Sequence, residues 1–224
     1  MGQLTIDEFD RIIKDYSFED FGYFIETGTY NGRTIIPLAE YYSKKFFYTI
    51  EIVPQLVSYV NNVIKSKKLR NIKVHKGPSI NELNKIIKKL HNKKIIFFLD
   101  AHSSGYKGTS AESIHKETKI SQKYFLYDLY LKTLQLFTKK IIDTNLLKNN
   151  LSEVTVPLLE EINLIKDIKN RDMLIIIDDL DKFNSKYFYA DWSGISVNKI
   201  KIIINSRKFY IKKMKQKLIV VIKK

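Results

Sequence analysis

The sequence predicts an α/β fold with a mainly parallel sheet, on three observations. Short apolar runs of strand length alternate with stretches of helical periodicity. Two of those runs, residues 94–99 after the leading Lys94 and residues 173–177, are continuously apolar, as strands covered on both faces are. A glycine-bearing turn, residues 27–32, directly follows the first strand-like run. At 224 residues the chain fits one domain, 1–224, large enough to bury a substantial core.

Each element follows in order. Residues 7–16 read as a leading helix, with Phe9, Ile12, Ile13 and Tyr16 at helical spacing. A short strand at 23–26 leads through the glycine turn into a helix ending at Tyr42. The second strand is 46–50, and the helix 54–67 enters on proline at its first turn. A strand at 72–75, a helix at 80–90 and the strand 94–99 complete the first half. Beyond them come a proline-entered helix at 157–168 and the strand 173–177. The end of the chain predicts a helix at 198–205 and an antiparallel hairpin, 209–213 with 217–222, turning near Lys215 and Gln216. Its last strand, an unbroken apolar run between lysines, is expected to insert between neighbours. One region breaks the alternation: about 106–156 lacks a strand signal and reads as a helical insertion, with one long helix over 124–142. Connections of that length are usually functional lids or interaction elements; a surface insertion with no such role is equally consistent, and a homo-oligomer contact would use the same segment.

Composition narrows the function classes. A hydrophobic share of 44% with 28% charged residues is that of a globular protein. No apolar run is long enough for a bilayer span, which takes about 20 residues. The acidic residues Asp7, Glu8, Asp10 and Asp15 near the start do not suit a signal peptide. No membrane partner and a cytoplasmic location are the expectations. Without cysteine there is no disulfide framework, thiolate zinc site or cysteine nucleophile. The formal charge of +15 admits two readings. One is a polyanionic partner such as nucleic acid or a nucleotide-linked substrate. The other is drift toward lysine in an AT-rich genome, and five arginines against many dispersed lysines suit that one better.

The residues that carry chemistry begin at the first turn, Glu26-Thr27-Gly28-Thr29-Tyr30-Asn31-Gly32. Glycines here permit unusual backbone angles and close approach of a ligand. Glu51 ends the second strand, where an acid accepts both hydroxyls of a ribose; a glutamate favoured by a helix start is the plainer alternative. Further on stand Gly77-Pro78-Ser79, Leu99-Asp100-Ala101-His102 and Ile177-Asp178-Asp179.

Together these motifs resemble class I S-adenosylmethionine-dependent methyltransferases, and within them the branch of macrocin-type, metal-dependent sugar O-methyltransferases. The resemblance covers most of the chain outside the 106–156 insertion. It implies a Rossmann-like, seven-stranded, mostly parallel sheet with an antiparallel last strand and helices on both faces. It also implies that Glu26, Thr27, Gly28 and Gly32 hold the methionine and ribose parts of the cofactor. Glu51 would bind the ribose, and Gly77, Pro78 and Ser79 would flank the adenine, with Asp100 beside them.

Asp100, Asp178 and Asp179 follow neighbouring parallel strands and so share the edge where ligands bind. Three hard-oxygen ligands suit Mg²⁺ or another divalent cation, which would also relieve their repulsion. Alternatively Asp178 caps the next segment while Asp179 lies in solvent. His102, two residues after Asp100, has the pKa of a general base for a hydroxyl acceptor, with Asp100 beside it in catalysis; a loop histidine bonded to backbone is the alternative. Trp192 either stacks on a substrate ring or covers the edge of the core. The acceptor expected is a sugar or other small-molecule hydroxyl, free, nucleotide-linked or in a polysaccharide. RNA or protein is the second reading, and a non-catalytic binding protein the third.

Overall fold

The computed structural model describes residues 3–101, 156–187, 190–205 and 208–224. The expected insertion, its 124–142 helix, His102 and Ser103-Ser104-Gly105 lie outside the described residues. Two compact units are present, and most elements belong to the first: Met1–Ala101, Pro157–Asn184 and Gly194–Lys224.

That unit alternates as the sequence predicts: α1 (Ile6–Asp15), β1 (Tyr23–Thr27), α2 (Ile35–Tyr41), β2 (Phe46–Glu51), α3 (Pro54–Ser66), β3 (Ile72–Lys76), α4 (Ser79–Ile87) and β4 (Ile95–Leu99). Then come α5 (Leu158–Lys166), β5 (Met173–Ile177) and a 3₁₀ turn, Leu180–Lys182. In the second unit Lys186–Tyr187 (β6) pairs antiparallel with Ala190–Asp191 (β7). There the Asp191 carboxylate accepts from the Ser193 N–H and hydroxyl, and Trp192 is buried. The first unit closes with α6 (Val197–Ile204), β8 (Phe209–Met214) and β9 (Lys217–Ile222).

Among the described residues seven strands form one sheet in the order β3-β2-β1-β4-β5-β9-β8. Six run the same way, and β9 runs antiparallel between β5 and β8. This is a Rossmann-like α/β fold with its order reversing between β1 and β4, the crevice position where ligands of open α/β sheets bind. Strands β1, β4, β5 and β9 are buried along their whole length. Because side chains alternate across a strand, one set (Phe24, Phe47, Phe98, Ile176) joins Phe9 and Ile12 of α1 in a single core. Helices α4, α5 and α6 pack side by side.

The helix expected straight after the glycine turn starts later, at Ile35. Tyr30 (φ 51°) and Gly32 (φ 79°) are left-handed, so neither can belong to a right-handed helix, and the turn extends to Thr34. Among the described residues no helix is long and apolar enough to cross a membrane.

Candidate active site

At the C-terminal edge of the sheet the β1 turn packs back on its neighbours. Gly28 and Thr29 donate their N–H groups to the Ile50 carbonyl of β2, and Asp100 donates its own to the Thr27 carbonyl. A Cβ on Gly28, at φ 82°, would lie 2.5 Å from the Asp100 carbonyl oxygen. Gly28 is glycine so that two loops of the protein can meet. On the side where a Cβ would stand, the space is filled by the backbone of Asp100 and Ala101. Gly32, at φ 79°, would meet the tip of Ile36.

Glu51 is buried at the end of β2 and tied at both oxygens. Oε2 accepts the Tyr30 N–H at 2.8 Å and Oε1 accepts the Val53 N–H at 2.9 Å. Burial raises its pKa, while the N–H groups of Val53, Tyr30 and Ile52 oppose the shift. Three N–H groups on its two oxygens leave room for a further donor. The turn of β1 therefore orients the acid of β2, which the spacing of Gly28 and Glu51 in sequence could not show.

Glu26 points into the sheet's interior. The Thr49 hydroxyl donates to its Oε2 at 2.7 Å, and Thr49 is also hydrogen-bonded to the Thr29 hydroxyl. Burial holds the Glu26 carboxyl well above the usual carboxylate range; Asp100 and Glu51 push the same way, against the Thr49 bond. Thr27 faces another acid that the sequence analysis passed over. Its hydroxyl donates at 3.3 Å to Oε2 of Glu161, a residue of α5 that is 1% exposed and also hydrogen-bonded by Ser79. Burial pushes Glu161 up to about 7, opposed by those two hydroxyls and supported by the charges of Glu160 and Asp100. The signal was present: in Leu158, Glu161, Ile162 and Ile165 an acid occupies the buried stripe of an amphipathic helix.

Gly77 (φ 148°), Pro78 and Ser79 connect β3 to α4, with the Gly77 N–H bonded to the Glu51 carbonyl. A Cβ on Gly77 would meet the Glu82 side chain, whose carboxylate binds Lys85 at 2.5 Å and His75 at 3.2 Å. This loop thus reaches Glu51 by its backbone and Glu161 by the Ser79 side chain.

Asp100, partly exposed, is the acid whose charge raises Glu26, Glu161 and Asp178 alike. The three residues expected to hold a metal are arranged differently from that expectation. Asp178 is 2% exposed, and burial pushes it up to about 7, helped by Asp100 and opposed by Lys217. The buried Lys217 ammonium, at the start of β9, lies 3.6 Å from Asp178 and 3.7 Å from Glu8. Asp179, left-handed at φ 58° and buried rather than in solvent, bonds Lys182 at 2.7 Å. Among the described residues no group of three or more His, Asp or Glu side chains is disposed to hold a metal ion. Asp178 faces the ammonium of Lys217 and Asp179 that of Lys182.

Among solved structures, an S-adenosylmethionine-dependent methyltransferase from Aquifex aeolicus is 12% identical, with 95% of this chain and 87% of that one covered at a TM-score of 0.45. A Podospora anserina methyltransferase bound to S-adenosylhomocysteine is 12% identical over 94% and 74%, at 0.48. The fibrillarin pre-rRNA processing protein of Methanococcus jannaschii is 13% identical over 91% and 66%, at 0.47. No curated protein matches the chain. Residues 22–104, which carry β1 to β4 with Glu51 and Asp100, match the family model described as "Putative methyltransferase".

Proposed function

We propose that this chain is an S-adenosylmethionine-dependent methyltransferase whose acceptor is a hydroxyl of a sugar or another small molecule. One observation carries the reading: Glu51, buried at the C-terminal edge of β2, is held by two backbone N–H groups with acceptor capacity to spare, beside the left-handed turn of β1. A carboxylate so fixed suits the paired hydroxyls of a ribose. Gly28 and Gly32 shape the turn that faces the cofactor's tail, Thr27 and Ser79 border it, and Gly77 and Pro78 flank the adenine. Glu26 supports the turn through Thr49 and Thr29. The cofactor supplies, when bound, a methyl group on a sulfonium.

His102 takes the acceptor's hydroxyl proton in this reading, as the imidazole nearest in sequence to Asp100. Asp100, two residues earlier in the chain, assists it in this reading. Lys217 and Lys182 balance Asp178 and Asp179, so the reading routes no step through a divalent cation.

Titration calorimetry and thermal shift with S-adenosylmethionine and S-adenosylhomocysteine test the proposal. Both ligands are expected to bind and to raise Tm. Absence of heat and of any shift with either rejects it. Transfer of labelled methyl to a panel of sugars and nucleotide sugars, with bulk RNA and protein in parallel, tests the acceptor. Label confined to RNA or protein overturns the hydroxyl clause.

A further inference from the structure

The two threonines beside Gly28 are each tied to a buried acid, and the two acids lie on opposite faces of the sheet. Side chains alternate along a strand, so Glu26 and Thr27 of β1 face opposite ways. Glu26 shares the face of Phe24 and Phe47, which α1 covers. There Thr49, its register partner on β2, donates to it and is hydrogen-bonded to Thr29. Thr27 turns to the other face, where its hydroxyl donates at 3.3 Å to Oε2 of Glu161 in the first turn of α5. Thr27 is also the last residue of β1 paired on both sides, with Ile50 and Leu99; at Gly28 the chain turns left-handed.

Packing does not call for an acid at position 161. Leu158, Ile162 and Ile165 make up the rest of the buried stripe of α5, and a leucine would continue it. The carboxyl instead carries a burial penalty: it is 1% exposed, and among the described residues Oε1 has no hydrogen-bond partner. What the acid supplies is an acceptor for Thr27, fixing the hydroxyl's direction and the side-chain rotamer where the turn departs.

We propose that Glu161 is a positioning residue for cofactor binding: through the Thr27 hydroxyl it holds the start of the glycine turn from one face of the sheet, while Glu26, through Thr49 and Thr29, holds it from the other. The inference rests on the reading that this turn carries S-adenosylmethionine. It requires an acceptor oxygen at 161 rather than a charge, since a neutral carboxyl, a carboxylate and an amide all accept from a hydroxyl.

The test measures S-adenosylhomocysteine affinity by calorimetry, and Tm, on the full chain and five variants. Glu161→Leu and Thr27→Val are each expected to weaken binding about tenfold, and the double variant no more than either alone. Glu161→Gln, which keeps the acceptor, should stay within about threefold of wild type. Ile165→Ala, on the same buried stripe, should lower Tm and leave affinity within about twofold. Losses that multiply in the double variant would mean that the two residues act independently. A tenfold loss in Ile165→Ala would mean that lowered stability is the cause, and either result overturns the inference. Should Glu161→Leu not fold, Thr27→Val decides: unchanged affinity there overturns it. Wild-type binding that neither Glu161→Leu nor Thr27→Val weakens rejects the role of Glu161 alone, whereas no binding by wild type rejects the cofactor reading and this role with it.

Discussion

The two edges of the sheet are built from opposite charges in opposite ways. At the C-terminal edge Glu26, Glu51, Glu161 and Asp178 are buried acids, each with its pKa raised chiefly by desolvation. At the N-terminal edge Lys44, Lys93 and Lys224 are exposed, their stems on the surface and their charges in water. Burying a carboxylate is costly unless hydrogen bonds or protonation compensate. The acidic edge is therefore tied by backbone and hydroxyl donors, while the basic edge needs only long stems over aromatic rings.

Substitutions separate the two. The largest effect is expected from Gly28→Ala, which adds a Cβ at φ 82° and 2.5 Å from a backbone oxygen that cannot swing away. A loss of about 2–4 kcal/mol is expected, read as a lower midpoint in urea unfolding, together with loss of cofactor binding. Next, Glu51→Ala removes an ionisable acceptor pair. It should weaken S-adenosylhomocysteine binding by roughly 10- to 100-fold in calorimetry, as hydrogen bonds to a charged group are worth about 1.5–3 kcal/mol. A change below twofold would detach Glu51 from the ribose.

The third prediction concerns pH. Glu161 and Asp178 both titrate near 7 in the folded protein, above their ordinary values of 4.5 and 3.8. The folded state then holds more protons than the unfolded one between those limits, so stability falls as pH rises from about 4 to about 7 and levels off above. Glu161→Gln cannot ionise and keeps an oxygen for Thr27. Relative to wild type it should gain stability with rising pH, by of order 1–2 kcal/mol between pH 5 and 8. An unchanged difference across that range would show that Glu161 titrates normally. The smallest effect should come from Gly22→Ala at the basic edge. Its Cβ would lie 2.3 Å from Cδ and 2.6 Å from Cβ of Lys93, so the exposed side chain must change rotamer and its loop shift slightly, and a loss of about 1 kcal/mol is expected in the same unfolding assay.

Much of this was legible beforehand. Period-2 and 3.6 patterns identify β1 to β5, the closing hairpin and the helices because burial on two faces demands apolar runs. Glu51 was found because it ends a strand after a glycine turn. Glu161 was passed over though it interrupts an apolar helical stripe, since an acid in such a stripe is ordinarily read as a solvent-facing neighbour. Lys217 and Lys182 were missed for a different reason. In a chain with many lysines, nothing local distinguishes the two that turn inward to face Asp178 and Asp179.

By itself the sequence determined the alternation of elements, the left-handed turn at Gly28 and Gly32, and the row of acids at strand ends, because each follows from local periodicity or backbone sterics. The tertiary structure decided which charges meet. Gly28 against Asp100, Glu161 against Thr27 and Ser79, and Lys217 against Asp178 all join residues far apart in the chain. Their energies depend on distance and burial, which strand order and packing create and no local pattern records.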